Sequence, residues 1–518
     1  MGAARYDYAM FVRKNRNRSG SVSVQIVSKD RGRYRIEKTI GSSSNPEEIE
    51  RFVLEAKNYI HYPADQLPLF STLSQTDQSI KNFIENMSNL QVHTIGPELI
   101  FGTLFDRIGF NAVEDELFRH ITVARLAYPT SKLKTVDYLY RYRGINKSVD
   151  AIYRFLDKLA GTYKETVHRI AFEYTKERLK NISVVFYDMT TLYFDAEDED
   201  DLRKIGFSKD GKFQKPQIML GLLVGQNGYP IGYDIFEGNT FEGHTLLPIL
   251  QGIQAKYGFK KPIVIADAAL LSKKNLKDLS EENYEFIIGA RIKNETEQIK
   301  NKILEQTKGI KDGEGVAIKR PDGTRLIVTY SDKRKKKDTY NRERGLKKLR
   351  ERVKSGKLTK TSINNRGYNK FLTLKGSIEV EIDEDKVKQD ECWDGLKGYI
   401  TNTKLPPGEI VENYRHLWQI EKAFRISKTD LKIRPIYHHL KKRIEAHICI
   451  AFVAYTIYKE LERLLCKHKA GFSPQRAAEL THTMYEVEYV LPHSKRKEKS
   501  LLKMDAEQQL LYDVIQKN

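Results

Sequence analysis

Cysteine, tryptophan and long apolar runs are all scarce in this chain of 518 residues, which has 2 Trp and 3 Cys. The cysteines are Cys392, Cys449 and Cys466. Their odd number and wide spacing exclude a disulfide framework and a zinc site. The most apolar stretch, residues 444–458, contains Glu445 and His447 and is too short to span a membrane, so it predicts a buried helix. Residues 1–10 lack the apolar segment of a signal peptide, and we expect a soluble protein of the reducing cytoplasm with no membrane partner.

Acidic residues are also few relative to basic ones: 69 Asp and Glu stand against 89 Lys and Arg, a net charge of +20. In a chain long enough for roughly three domains, this excess indicates a polyanionic partner, with nucleic acid the first candidate. The excess is uneven, because residues 333–357 contain thirteen Lys or Arg and only three acidic residues. This basic run either follows a DNA backbone or is a solvated or disordered segment, and the sequence leaves both possibilities open.

The N-terminal part changes from strand-like to helical patterning. Residues 11–41 alternate apolar and polar side chains in short runs, which predicts a small antiparallel sheet. Helical spacing follows from residue 46 to residue 181. Within it, residues 131–159 predict two helices separated at Gly144, with Ser148 as N-cap of the second. They form either a DNA-binding helix-turn-helix or an ordinary helical hairpin.

The middle of the chain predicts an α/β fold with a mixed sheet. Five apolar runs of strand length occupy residues 182–188, 216–224, 230–236, 262–267 and 284–290. A helical stretch, residues 244–257, separates the third run from the fourth. The alternation of strand and helix patterns stops over residues 291–407, where strand-like segments at 325–330 and 376–382 flank the basic run. This change predicts an insertion. Helical periodicity returns from residue 409.

Two aspartates follow apolar strand runs of this sheet. Asp188 ends the first run and Asp267 ends the fourth. If the two strands are neighbours, both carboxylates converge at one edge of the sheet, where sheet enzymes place their chemistry. Either residue alone is more often a helix cap or a turn residue.

A third carboxylate lies in the helical segment that follows the insertion. Tyr414, Glu421 and Lys428 recur every seven residues, with apolar side chains on the same stripe. This spacing predicts that Glu421 and Lys428 face the body of the protein. The alternative is a simple i,i+4 salt bridge from Glu421 to Arg425. Three carboxylates at one edge would suit Mg²⁺, and two such ions can promote phosphodiester displacement on DNA held by a basic surface.

These residues also carry a family likeness. The chain resembles the DDE transposases of bacterial insertion sequences, in the branch whose third acidic block reads Tyr, two residues, Arg, three residues, Glu, six residues, Lys. Tyr414, Glu421 and Lys428 match this signature, and Leu417 stands at the position of the family Arg. The other local likenesses are Asp188-Met-Thr-Thr, Gly206-Phe-Ser-Lys-Asp210, Glu237-Gly-Asn-Thr240, Ala266-Asp267 and Phe424-Arg-Ile-Ser-Lys428. Together they cover roughly residues 180–460.

The resemblance implies an RNase H-like core with a strand-rich insertion. It places Asp188 on the first strand, Asp267 after the fourth and Glu421 on a later helix, as catalytic residues that bind two Mg²⁺ ions, for which Mn²⁺ substitutes. The implied reaction frees a 3′-hydroxyl at each transposon end and joins it to target DNA. The implied DNA-binding residues are Tyr414, Lys428 and, in place of the family Arg, Arg415 or Arg425. The partners would be double-stranded transposon ends and target DNA, with a homodimer on paired ends in the bacterial cytoplasm near the nucleoid.

The resulting domain plan has five parts. They are a small β-sheet region (1–60), a helical DNA-binding region (61–180), the first part of the catalytic core (181–290), the basic insertion (291–408) and the core helix with the C-terminal helical region (409–518). Two alternatives stay open at this point. One is a DNA-binding transposase relic without catalysis, and the other is an RNase H-like nuclease without strand transfer.

Overall fold

The computed structural model describes residues 10–30, 32–61, 75–258, 260–270, 272–356, 358–375, 379–491 and 494–517. The chain divides into two compact units, the first ending at Met87 and the second beginning at Ser88. Each unit is described by itself below.

The first unit contains a three-stranded sheet and two helices. Its elements are β1 (Met10–Arg16), β2 (Val22–Asp30), β3 (Arg33–Ser43), α1 (Pro46–His61) and α2 (Gln75–Glu85). The strands are antiparallel in the order β1-β2-β3, in the segment where alternation predicts such a sheet. Helix α1 covers one face, and Val53 and Ala56 from the helix share a core with Val24 and Ile26 from the sheet.

The second unit begins with a helical layer. Its elements are β4 (Val92–Thr94), α3 (Thr103–Ile108), α4 (Glu116–Ala127), α5 (Lys132–Arg143), α6 (Val149–Lys158) and α7 (Lys164–Leu179). The two predicted helices are confirmed as α5 and α6. Ser131 and Ser148 cap their N-termini, and Gly144 ends α5 in the left-handed conformation that glycine adopts without strain. A role of this helix pair in DNA binding stays a prediction.

The predicted α/β segment forms the centre of the fold. Its elements are β5 (Val184–Tyr193), β6 (Gln217–Val224), β7 (Pro230–Glu237), α8 (Leu246–Tyr257), β8 (Ile263–Ala266), α9 (Lys273–Glu281) and β9 (Phe286–Ala290). All five predicted strands and the predicted helix are confirmed. One detail was wrong: β5 does not end at Asp188, because residues up to Tyr193 continue to pair with β6.

The following segment contributes strands to the same sheet. Its elements are α10 (Glu297–Gln306), β10 (Gly315–Lys319), β11 (Arg325–Tyr330), α11 (Asp332–Lys354), β12 (Leu372–Lys375), β13 (Glu379–Ile382), α12 (Glu384–Glu391) and β14 (Leu396–Thr401). The sheet has eight strands in the order β10-β11-β14-β9-β8-β5-β6-β7. Strand β8 is parallel to both β5 and β9, and the remaining neighbours are antiparallel.

The predicted insertion therefore has two parts. Strands β10, β11 and β14 extend the main sheet, whereas α11, the hairpin β12–β13 and α12 pack around a small separate core. That core contains Leu346, Leu349, Phe371, Leu372 and Val387. The basic run is the helix α11, 23 residues long and about 34 Å from end to end, and not a disordered segment. The predicted strand at 376–382 is described only from residue 379, since residues 376–378 lie outside the described residues.

The C-terminal part is mainly helical. Its elements are α13 (Pro407–Arg415), α14 (Trp418–Arg425), a π-helix (Ile426–Asp430), α15 (Lys441–Lys467), α16 (Pro474–Thr481), β15 (Tyr485–Val490), β16 (Lys497–Leu501) and α17 (Ala506–Gln516). Helix α15 contains the predicted buried helix and packs against α4, α6 and α7. Within the described ranges, no helix has the length and apolar character needed to cross a membrane.

Candidate active site

Asp188 and Asp267 lie side by side at one edge of the main sheet. Strands β5 and β8 are parallel neighbours, and the last pair in their register is Tyr187 with Ala266. The next residue on each strand is the aspartate. Strand β8 ends before Asp267, because a short 3-10 helix begins at Ala268. The Asp267 Oδ1 accepts a hydrogen bond from the N–H of Ala268 at 2.7 Å. The predicted convergence of the two carboxylates is thus confirmed.

Two further charged groups surround Asp188. Lys209 Nζ lies 3.6 Å from Asp188 Oδ1 and 2.8 Å from Glu242 Oε1, and it donates a hydrogen bond to the Met189 carbonyl at 2.7 Å. Burial raises the pKa of Asp188, and the carboxylates of Glu242 and Asp267 add to the rise, while Lys209 opposes it. Burial opposes protonation of Lys209, but Asp188 and Glu242 raise the pKa of its ammonium overall. The site therefore holds more carboxylate than its one lysine neutralises.

The residue after Lys209 reaches a different part of the chain. Asp210 forms ion pairs with Lys428 at 3.3 Å and with Arg434. Its loop lies against the turn after β7, where a Cβ added to Gly206 would come within 2.4 Å of the Gly238 carbonyl oxygen. Only glycine fits this approach. The loop thus links the Asp188 cluster to the segment that follows α14.

Tyr414 brings the end of α13 to Asp267. Its hydroxyl donates to Asp267 Oδ1 at 3.2 Å, and its ring packs edge to face on Tyr399 at 4.8 Å between centres. Lys397 Nζ lies 4.5 Å from the centre of the Tyr414 ring. Burial raises the pKa of the Tyr414 hydroxyl, and the charge of Asp267 raises it further, so the hydroxyl stays a donor at neutral pH. Tyr414 therefore fixes the orientation of the Asp267 carboxylate.

Glu421 lies on the same side of the sheet but not as the sequence predicts. Its carboxylate is close enough to raise the pKa of the Tyr414 hydroxyl and to act on Lys397, as Asp267 does. The expectation that Glu421 faces the body of the protein was wrong, because its side chain is exposed. The helix is interrupted between Arg415 and Trp418, so a spacing of seven residues does not by itself fix whether the Glu421 side chain is buried.

The same interruption affects the other signature residues. Lys428 lies in the π-helix, half-buried, with its ammonium on Asp210. A π-helix shifts the side-chain register by one residue per turn, and such segments are frequent at functional sites. Arg415 is exposed and pairs with Glu412, and Arg425 is exposed. No ion pair between Glu421 and Arg425 forms among the described residues, so the simple salt-bridge interpretation fails.

A cavity of about 640 Å³ adjoins Asp267. Its wall includes Asp267 and Tyr414, Arg334 of helix α11, and Trp393 and Lys397. The basic helix therefore borders a cavity that opens at one of the two central carboxylates. This arrangement is able to hold an anionic strand beside Asp267.

The carboxylate oxygens of this site suit a hard divalent cation, although their positions do not form a complete set of metal ligands. No group of three or more His, Cys, Asp or Glu side chains in the described part of the chain is arranged to hold a metal ion. The oxygens of Asp188 and Asp267 are nevertheless hard donors, and burial raises the pKa of Asp188, with repulsion from Glu242 and Asp267 adding to the rise. A bound cation would relieve this repulsion. The residues thus fit Mg²⁺ in their chemistry.

Sequence reasoning assigned no role to four charged residues of this region. Lys209, Asp210, Glu242 and Arg434 come from loops whose pairing no periodicity reveals. Lys209 and Asp210 lie within the segment Gly206–Asp210, which resembles the family. The resemblance assigns neither of them a role.

Comparison with known proteins identifies the family. Residues 180–457, more than half of the chain, match the family model described as the transposase DDE domain. A search of curated proteins finds no match. Among solved structures, the cryo-EM structure of a piggyBac transposase synaptic complex with hairpin DNA is similar with a TM-score of 0.38 and 8% identity over 74% of this chain and 76% of that chain. The match over residues 180–457 shows that this chain belongs to the transposase DDE-domain family.

Proposed function

We propose that this protein is a DNA transposase that cleaves transposon ends and joins the freed 3′-hydroxyl to target DNA. The single observation that carries the proposal is the placement of Asp188 and Asp267 next to each other, each one residue beyond the last pair of the parallel strands β5 and β8. Tyr414 and Glu421 lie against the same edge from the C-terminal helices. The family match over residues 180–457 supports the same reaction class.

The core of the proposal is an RNase H-like arrangement of the kind found in bacterial insertion-sequence transposases. Counted from β5, Asp188 lies on the first strand and Asp267 directly after the fourth, β8. Glu421 follows on a later helix. These three residues would hold Mg²⁺, or Mn²⁺ in its place. Such an ion polarises a phosphodiester and activates the attacking oxygen.

The chain's own residues would orient and neutralise the reacting groups. The Tyr414 hydroxyl and the Ala268 N–H both donate to Oδ1 of Asp267, and no donor within the described residues bonds its Oδ2. Lys209 compensates part of the charge shared by Asp188 and Glu242, so the cluster remains stable before DNA arrives. Lys428 would reach the terminal phosphates by exchanging its ion pair with Asp210 for one with DNA, and Arg425 or Arg415, both exposed, would replace the missing family Arg.

The basic helix α11 would track the DNA backbone beside the cavity at Asp267. Most of its Lys and Arg side chains are exposed, and none of Lys335, Lys336 and Lys337 forms an ion pair among the described residues. Contacts of this kind supply affinity without sequence specificity. A homodimer on paired ends follows from the need to cut two transposon ends together.

The test is an analysis of reaction products. Purified protein is incubated with Mg²⁺, labelled duplex carrying the element ends and a supercoiled target plasmid. Labelled ends joined covalently to the plasmid are expected. Nicked or cut ends without joined products would instead favour a nuclease without strand transfer, and binding without any cleavage would favour the relic.

A further inference from the structure

A second cavity, of about 530 Å³, lies between the start of helix α5 and the segment after the π-helix, and its lining residues include none of Asp188, Asp267 and Glu421. Its wall contains Arg125, Lys132, Lys432, Arg434, His438 and His447, and none of its lining residues is Asp or Glu. A volume of this size accommodates a nucleotide-sized group. A cavity whose charged side chains are all basic is expected to attract an anion.

Two of these cations are buried without an acidic partner. Arg125 is 5% exposed and Lys132 is 4% exposed. Among the described residues, Lys132 Nζ has no hydrogen-bond partner. Arg125 Nη1 reaches only the carbonyl oxygens of Leu431 and Lys432, both at 3.4 Å. Lysine and arginine are almost never fully buried unless paired, since an unpaired buried charge costs several kcal/mol.

The local electrostatics add to this cost. Burial lowers the pKa of Lys132, and the nearby Arg125 lowers it further. Burial also lowers the pKa of Arg125 to about 10 and that of His438 to about 4. Two carboxylates near this region already have cationic partners: Asp210 pairs with Arg434 of the cavity wall, and Asp157 accepts from Nε and Nη2 of Arg443, both at 3.0 Å. Within the described residues, no carboxylate forms an ion pair with Arg125 or Lys132.

The backbone contributes in the same direction. Ser131 caps α5, a helix of 12 residues, and the residues around this N-terminus line the cavity. A helix N-terminus carries a partial positive charge and points N–H groups outward, which favours an anion. On the opposite wall, His447 donates from Nε2 to the Ile433 carbonyl at 2.8 Å, while its buried Nδ1 has no partner in the described part of the chain.

We propose that this cavity is a phosphate-binding site, in which Arg125, Lys132 and the N-terminus of α5 hold a phosphate group at the mouth formed by Lys432 and Arg434. The phosphate comes either from a DNA strand or from free phosphate in solution. Arg434 also pairs with Asp210, the partner of Lys428, so a strand bound here would lie one ion pair from the proposed DNA contacts. The phosphate site does not include the carboxylates Asp188 and Asp267. Phosphate binding here can therefore be tested independently of the proposed cleavage.

The first experiment measures thermal unfolding of the full-length protein as inorganic phosphate replaces chloride at constant ionic strength. The wild type should show a saturable rise in Tm of roughly 3 °C at a large excess of phosphate. Lys132→Met should abolish the rise. Lys302→Met, which removes an exposed lysine from α10, is the matched control and should keep it.

Two further measurements test the proposal even if the Lys132→Met variant fails to fold. Calorimetric titration of the wild type with phosphate needs no variant, and absence of binding would overturn the proposal. Lys432→Gln alters an exposed residue at the mouth and should weaken phosphate binding by about tenfold, a loss comparable to one charge-assisted contact. Equal stabilisation of Lys132→Met and wild type would also overturn it.

The source of the phosphate is distinguished with a labelled 20-base-pair duplex. If the site takes a DNA phosphate, Lys432→Gln should reduce the slope of log K against log salt by about one, and the duplex should displace bound phosphate. If the site takes free phosphate, duplex affinity should be unchanged by Lys432→Gln while the phosphate-induced rise in Tm is reduced. Either pattern supports a phosphate site, and neither requires cleavage.

Discussion

Asp188 and Asp267 lie next to each other, each one residue beyond Tyr187 and Ala266, the last pair of the parallel neighbouring strands β5 and β8. They are 79 residues apart in the sequence numbering, yet the sheet holds them at one edge. Lys209 and Glu242 complete the surroundings of Asp188, and the Tyr414 hydroxyl holds Asp267. The predictions below follow from this arrangement and from the elements that support it.

The orientation of Asp267 depends on the space left at Gly289. A Cβ at this position would lie 2.5 Å from the Tyr414 hydroxyl oxygen, so Gly289→Ala should displace the hydroxyl from Asp267. Loss of this hydrogen bond is worth about 1–2 kcal/mol, which corresponds to a cleavage rate roughly tenfold lower with DNA affinity unchanged. Tyr414→Phe should show a similar loss.

The control for this substitution is Gly252→Ala in helix α8. A Cβ at Gly252 meets nothing within 4 Å, so this variant should cleave at the wild-type rate. Equal rates for Gly289→Ala and Gly252→Ala in a single-turnover cleavage assay would mean that Tyr414 does not position Asp267.

The basic helix α11 is anchored by one buried ion pair. Arg342 binds both carboxylate oxygens of Asp394, at 2.5 Å and 2.7 Å, and both side chains are buried. Asp394→Ala leaves the guanidinium uncompensated, and we expect a loss of about 3–5 kcal/mol in the free energy of unfolding. Asp385→Ala, at an exposed surface pair with Lys388, should cost at most about 1 kcal/mol. Urea denaturation followed by circular dichroism measures both, and a wild-type midpoint for Asp394→Ala would refute the anchoring role.

The exposed side of α11 should supply salt-dependent DNA affinity. Replacing Lys335, Lys336 and Lys337 together with Gln should lower the slope of log K against log salt by up to about 3, because each phosphate contact contributes about 0.9. The matched variant changes three exposed lysines elsewhere: Lys302, Lys308 and Lys311. Fluorescence anisotropy with a labelled duplex over a range of NaCl concentrations gives both slopes. The same reduction in both variants would point to net charge and not to contact by α11.

His168 should make the protein sensitive to mild acid. Burial lowers the pKa of this histidine to about 4, and its ring packs against Tyr233 at 4.7 Å between centres. Because the folded pKa lies below the unfolded value of about 6.5, protonation favours the unfolded state. The contribution of neutral His168 to the free energy of unfolding is complete above pH 6.5 and decreases as the pH drops toward 4. At pH 5 the decrease is about 2 kcal/mol.

The test compares thermal unfolding at pH 7 and pH 5. His168→Phe keeps an aromatic ring in the same packing and should lose less stability on acidification than the wild type. His416→Gln removes an exposed histidine and should behave like the wild type. An unchanged pH dependence in His168→Phe would show that His168 is not the group responsible.

The parts of the fold that the sequence predicts are those set by burial. Strands β6 and β9 are apolar on both faces because the sheet is covered on both sides, so each appears as a continuous apolar run. The same signal located β5 and β8, and with them the two aspartates. The caps Ser131 and Ser148 were recognisable because a hydroxyl before a helical pattern has a local function that does not depend on the rest of the fold.

The parts that escaped prediction depend on contacts distant in sequence. No proline or glycine marks the interruption between Arg415 and Trp418, so the helix looks continuous and Glu421 was placed on the wrong face. Strand β14 pairs with β9 across more than 100 residues, which made β10, β11 and β14 look like a separate insertion. Lys209 and Glu242 meet through two loops, and loop pairing leaves no periodic pattern.

The most direct test of the central claim is cleavage of labelled duplex ends in Mg²⁺ or EDTA by the wild type, Asp188→Asn and Asp267→Asn. We expect Mg²⁺-dependent cleavage by the wild type, a rate lower by roughly a thousandfold or more in each variant, and unchanged duplex affinity by anisotropy. Glu421→Gln should behave in the same way. Wild-type cleavage rates in both aspartate variants would contradict the assignment of this sheet edge as the active site.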